Sequence, residues 1–171
     1  GVISPEYDRV LLGGSLPHYM FGLTFNAAYK GWDFGLTLQG VGSQKSQISA
    51  AMIEGLRDNW LNFPTILDGN YWSPKNTDEQ NATAKYPRLT RTNRDANFCM
   101  SDYWLYNGRY IRLKNLSVGY TLPKAWTTKA CMNTVRLYVS GSDLFTISNA
   151  PKGWDPEVST EGYPITTSLI F

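Results

Sequence analysis

From Phe21 the chain alternates: Phe21, Leu23, Phe25, Ala27 and Tyr29 fall in one phase, and Gly22, Thr24, Asn26, Ala28 and Lys30 in the other. A repeat of two residues puts successive side chains on opposite faces, so the run predicts a strand with one apolar face. After Lys30 and Gly31 the pattern restarts, with Trp32, Phe34, Leu36 and Leu38 set against Asp33, Gly35, Thr37 and Gln39, and the two runs predict a hairpin. Alternation returns in "LSVGYTL" from Leu116, in "VRLYVSGSDLF" from Val135, and in the final "ITTSLIF". Ahead of Leu116, Ile111 and Leu113 sit in the other phase, with Arg112 and Lys114 between them. Either a bulge near Lys114 and Asn115 resets the register, or the strand runs straight on and its upper part leaves the apolar layer.

The segment between these strands, Gly42 to Gly108, is rich in Asn, Thr, Asp, Pro and Arg and too long for an ordinary connection. Within it Ile48, Met52, Leu56 and Trp60 recur at helical spacing, which predicts a short amphipathic loop helix. The fold expectation is all-β, with about five strands joined alternately by short turns and long loops, the asymmetry of an outer-membrane barrel. Strands of about ten residues rising ~3.3 Å each and tilted ~40° cover roughly 25 Å, the height of the apolar band of such barrels. Tyr29 and Trp32 flank the tight turn, and Tyr19, Phe21, Tyr103, Trp104 and Tyr110 gather towards the opposite ends, where aromatic girdles belong. The lipid-facing set is then Leu23, Phe25, Phe34, Leu36, Val118 and Tyr120, while Gly, Thr, Ser and Asn suit a wet or plugged lumen. About five strands cannot close a barrel, and an open edge in lipid leaves backbone groups unpaired, so the strands belong to something larger. A soluble carbohydrate-binding β-sandwich would show the same alternation, its apolar faces meeting each other, and a purely structural barrel or adhesin fragment is a third reading.

Composition narrows the chemistry. The 171 residues are 42% hydrophobic and 14% aromatic with net charge +2, which argues for no nucleic-acid partner, and 15 Gly with 9 Pro favour strands and loops. No apolar run approaches the ~20 residues of a membrane helix, and the start "GVISPEYDRV" has no signal-peptide pattern. Cys99 and Cys131 lie in no metal-ligand cluster, and no HExxH, P-loop or GxSxG pattern occurs. No catalytic, metal or cofactor residue is expected, and the chain does not read as an enzyme.

Ligand contacts are expected from the long loops. Tyr71, Trp72, Trp104, Tyr106 and Trp154 have rings suited to stacking on sugars or apolar peptide side chains, with Asn70, Asn76, Arg88, Arg91 and Asp155 fixing orientation. The competing reading is that these rings pack loop against loop or sit at the membrane interface. In "WDPEV", Asp155 and Glu157 fall short of the 6–8 oxygens calcium takes, so a turn stiffened by Pro156 is expected. His18 has no sequence neighbour that makes it catalytic.

The blocks "LLGGSLPHYMFGLTFNAAYKGWDFGLTLQGVGS", "NYWSPKNT", "YPRL", "SDYWLYNGRYIRLKNLSVGYTLP", "VRLYVSGSDLFTIS" and "GWDPEV...GYPI" resemble, in order and over nearly the whole chain, the C-terminal portion of SusC/RagA-family TonB-dependent outer-membrane transporters of Bacteroidetes. The resemblance implies that residues 1–171 are C-terminal strands of a large antiparallel barrel of about 22 strands with long extracellular loops. Plug domain, TonB box and signal peptide lie outside these residues. It further implies active import of glycans or peptides across the bacterial outer membrane, driven by the TonB complex and assisted by a SusD-like surface lipoprotein. On that topology Cys99 lies in an outer loop and Cys131 in an inner turn, separated by roughly 25 Å of membrane, and two free thiols are expected.

Overall fold

The computed structural model describes Ser4 and residues 6–56, 63–92 and 94–171. They form two compact units, one of Gly14–Lys45 with Tyr106–Phe171, the other of Gly1–Gly13 with Ser46–Leu105. The chain runs through β1 (Met20–Tyr29), β2 (Trp32–Val41), β3 (Lys45–Gln47), β4 (Leu105–Asn107), β5 (Tyr110–Thr121), β6 (Arg136–Ser148) and β7 (Ser168–Ile170). Five strands make one antiparallel sheet in the order β1-β2-β5-β6-β7, and β3 pairs with β4 in a separate two-stranded sheet.

The hairpin closes as its sequence predicts. Tyr29 lies opposite Trp32, and Lys30 and Gly31 both take positive φ, 48° and 87°. That backbone suits the twist of the flanking strands, and Gly adopts it without steric cost. Gly31 is also crowded, since a Cβ there would stand 2.9 Å from the Thr121 carbonyl oxygen.

Register aligns the alternation of neighbouring strands. Ala27, Phe34, Val118 and Val139 form one row across β1, β2, β5 and β6, and Phe25, Leu36 and Leu116 form the next. One face is therefore apolar across four strands, and it is open: Leu23 is 56% exposed, Phe25 53%, Phe34 36% and Val118 37%, with Leu36 and Tyr120 half-buried. A sandwich needs a second sheet against these side chains, and the other sheet among the described residues has only two three-residue strands. The opposite face carries Thr24, Asn26, Thr37, Asn115, Ser117, Ser140 and Ser142.

The phase break before Leu116 is a bulge. Leu38 pairs with Leu113 and Thr37 with Asn115, leaving Lys114 as the extra residue. On the other side Leu113 pairs with Phe145 and Asn115 with Ser142, so Asp143, at φ 52°, and Leu144 bulge from β6 opposite Lys114. The insertion returns Leu116 to the apolar face that Ile111 and Leu113 already occupy.

Several expectations need correction. Tyr110 is out of phase with Ile111 and shares the face of Arg112, where it is buried, so it belongs to no outer girdle. The final alternating run yields only the three residues of β7. The loop helix shrinks to α1 (Ala50–Ile53), because Gly55 and Leu56 take φ of 56° and 52° and leave the helical region; Trp60 lies outside the described residues. A second helix, α2 (Asp78–Thr83), opens with a capping box, in which Thr77 and Gln80 each accept the other's backbone N–H. Cys99 and Cys131 are both free and exposed.

A Gly31→Ala variant, strained by its turn dihedrals and by the Thr121 carbonyl, should lose roughly 1–3 kcal/mol of stability, read from its urea unfolding midpoint. An unchanged midpoint would mean that the turn relaxes freely.

Candidate functional site

In the loop unit, asparagine side chains first build the backbone that presents the rings. Asn81 accepts from the Ser73 N–H (3.0 Å) and the Asn76 Nδ2 (3.1 Å) and donates to the Ser73 carbonyl (2.9 Å). Asn76 Nδ2 also donates to the Tyr71 carbonyl (2.9 Å), and the Asn70 carbonyl accepts from the N–H groups of Lys85 and Tyr86. Asn70 and Asn76, expected to orient a ligand, thus hold their own loop. Trp72 N–H donates to the Tyr86 carbonyl, so the segments bearing Tyr71 and Tyr86 run side by side.

The rings then collect. Trp104 stacks on Phe98 (centroids 5.1 Å, 21°) and Tyr86 (6.0 Å, 27°), with Tyr103 edge-on (4.9 Å, 90°). The Trp104 indole N–H donates to the Asn97 carbonyl at 3.1 Å, and the Tyr103 hydroxyl to the Lys85 carbonyl. Burial, then the neighbouring Tyr103, pushes the Tyr86 hydroxyl above the ordinary tyrosine value. Trp104 is therefore a packed anchor, and Tyr71 is half-buried edge-on to Phe63.

Trp72 differs. It is 42% exposed and forms part of the wall of two clefts. One, of about 370 Å³, also has Asn81, Tyr86, Asn97 and Trp104 in its wall. The other, of about 450 Å³, has Arg88, Thr90 and Thr92. The structure thus gathers Trp72, Trp104 and Arg88, while exposed Arg91 lines neither cleft. Tyr106, Trp154 and Asp155 belong to the sheet unit, where both rings are half-buried.

The sheet unit holds a charge cluster on its polar face. Arg112, 3% exposed, donates through Nε to Thr146 Oγ1 and through Nη2 to Asp155 Oδ1, both at 2.7 Å, with Nη1 3.4 Å from Glu157 Oε2. Lys114, the bulged residue, reaches Asp143 Oδ1 at 3.0 Å and Glu157 Oε2 at 2.7 Å. Asp155 is further fixed by the N–H groups of Glu157 (2.9 Å) and Ile165 (3.1 Å). Burial alone would raise the Asp155 carboxyl. The Glu157 N–H, the Arg112 guanidinium and the Ile165 N–H together outweigh it and hold the group below the ordinary aspartate value.

Among the described residues no group of His, Cys, Asp and Glu side chains is arranged to hold a metal ion, and the two carboxylates of "WDPEV" meet cations of the sheet. Sequence reasoning singled out the Arg112/Lys114 phase break and the "WDPEV" carboxylates separately. Their opposite charges were the one signal that could have joined them.

Replacing Arg112 with Met leaves Asp155 with no cation and only the Glu157 and Ile165 N–H groups, while Lys114 alone answers Asp143 and Glu157. Breaking a buried pair in this way costs roughly 3–5 kcal/mol, so amide exchange at Glu157 and Ile165 should accelerate strongly. Because the folded-state pKa of Asp155 is depressed, wild-type protection should hold above the ordinary aspartate value of about 3.9 and fade only as pH falls through the lower folded-state value. Exchange indifferent to both changes would show that the cluster does not hold the loop.

No family model matches the chain. TonB-dependent receptor P3 of Formosa agariphila is 34% identical over 154 residues, covering 89% of this chain and 14% of that protein. TonB-dependent receptor P26 of the same organism is 28% identical over 163 residues (95% and 16%). TonB-dependent receptor SusC of Bacteroides thetaiotaomicron is 26% identical over 157 residues (89% and 14%). The chain thus spans 14–16% of the length of these curated relatives. Among solved structures, the RagAB peptide importer in its closed-closed state matches with TM-score 0.69 at 21% identity, covering 98% of this chain and 18% of that one. Its open-open state gives 0.63 at 22% identity (91% and 16%). These structures share the fold, and the sequences carry the kinship: over most of its length this chain is a homologue of TonB-dependent receptors of the SusC kind.

Proposed function

We propose that the chain is the C-terminal part of a plugged outer-membrane barrel of about 22 strands that imports nutrient oligomers with energy from the TonB complex. The observation that carries this reading is a sheet whose one face is apolar and exposed across four strands while the other is polar and holds a charge cluster. Hydrocarbon suits the first face, and a wet lumen facing a plug suits the second. The rest of the longer protein supplies the strands that pair with β1 and β7, the plug and the TonB contact.

A SusD-like surface lipoprotein is the proposed partner, supported by the likeness to SusC and RagAB. Glycans or peptides are the proposed cargo, the latter supported by the name of the RagAB peptide importer. Within the loops, Trp72 and Arg88 beside their clefts are the foremost proposed cargo contacts, with Trp104 as the ring that braces the wall. Tyr71, Arg91, Tyr106, Trp154 and Asp155 complete the proposed set, Asp155 acting through the loop it fixes.

Disrupting the receptor gene should abolish uptake of its oligomeric substrate, screened from a glycan and peptide panel, and loss of TonB should do the same; uptake that survives both contradicts active import. On the wall itself, Leu36→Arg places a charge on the proposed lipid face, at roughly 2–4 kcal/mol near the membrane midplane, whereas Thr37→Arg faces the lumen. Heat-modifiable gel mobility should show less folded barrel for the first than for the second, and equal yields would reverse or remove the assignment of faces.

A further inference from the structure

The sheet carries Asp33, Arg112, Lys114, Arg136 and Asp143 in its charged pairs on the polar face. The apolar phase has a single charged member. Counting outward from Ile111, the residue in the same phase just before β5 is Arg109, which is exposed and whose guanidinium has no hydrogen-bond or ion-pair partner among the described residues.

Its surroundings form a row across the sheet. Phe21, Gly40, Ile111 and Ile147 lie opposite one another, and two residues further out along the same chains come Tyr19, Gly42, Arg109 and Asn149. The outer row is tied by Gly42 N–H to the Tyr19 carbonyl (2.9 Å) and Asn149 N–H to the Arg109 carbonyl (3.3 Å). The rings of Phe21 and Tyr19 lie over the two glycines, where a Cβ would stand 2.1 Å from each ring's Cζ. Beside these rings is an open cleft of about 360 Å³, with Ile111 and Ile147 in its apolar wall, Arg109 and Asn149 at its outer rim, and no carboxylate in its lining.

An apolar trough ending at one unpaired cation fits an amphiphile with a hydrocarbon tail and an anionic head. An arginine facing hydrocarbon is costly except at headgroup level, where its planar fork takes a phosphate well. The cleft lies at the end of the sheet that bears the long loops. We infer that Arg109 and this cleft bind a phosphorylated lipid of the outer leaflet, the phosphate on the guanidinium and an acyl chain along Phe21, Ile111 and Ile147. The inference rests on the proposed lipid-facing assignment of this sheet face.

The test uses the full-length receptor in detergent, native mass spectrometry, and diphosphoryl lipid A beside the same lipid with its phosphates removed. Wild type should retain the phosphorylated form roughly tenfold better, the loss expected for one charge-assisted contact. Arg109→Gln should erase that preference and Arg109→Lys keep most of it. Equal retention of both lipids by wild type, or an undiminished preference in Arg109→Gln, overturns the site. In parallel, a Leu23→Trp receptor reconstituted with bromine-labelled acyl chains should show added fluorescence quenching. Quenching without phosphate preference sinks the Arg109 site alone, and absent quenching sinks the lipid-facing assignment and the site with it.

Discussion

In hydrocarbon no water is available to pair a backbone N–H or C=O, so each must find a partner along the sheet while the side chains beside it stay apolar. On the proposed lipid-facing reading, that double demand fixes the register of β1, β2, β5 and β6. A slip of one residue would exchange Phe25, Leu36 and Leu116 with Thr24, Thr37 and Asn115 between the two faces at once. The two-residue turn at Lys30 and Gly31 pins the first pair of strands, and the rest of the sheet follows that phase.

The bulge at Lys114 is where the same demand meets the polar face. It places Lys114 opposite a second bulge at Asp143, on the polar face that Arg112 already occupies. The two cations would be poorly placed alone, and the returning segment answers them with Asp155 and Glu157. A strand irregularity thereby becomes the anchor of a loop. Three carboxylates against two cations, with Asp155 further held by two backbone N–H groups, fix the course of residues 155–165 over the polar face.

Much of this was legible from residue order, since period-two alternation is a direct image of a sheet with unlike faces. The hairpin, the apolar rows and a bulge as one of two readings at Lys114 all came from that pattern. What failed were local inferences that tertiary partners override: helical spacing from Ile48 ran past Gly55 and Leu56, whose left-handed backbone no periodicity reveals. Asn70 and Asn76 looked like ligand contacts because side-chain amides bind ligands and backbones alike, and only coordinates show them spent on their own loop. Tyr110 was misplaced because a ring near a strand end is counted before its phase is known.

The unlike faces carry the rest, and they can be measured strand by strand. Spin labels placed singly along Trp32 to Val41 of the full-length receptor in bilayers would report relaxation by oxygen, which partitions into lipid, and by a water-soluble nickel chelate. Oxygen accessibility should peak at positions 34, 36 and 38 and fall at 33, 35 and 37. Uniform accessibility, or oxygen maxima at the polar positions, would contradict a lipid-facing wall.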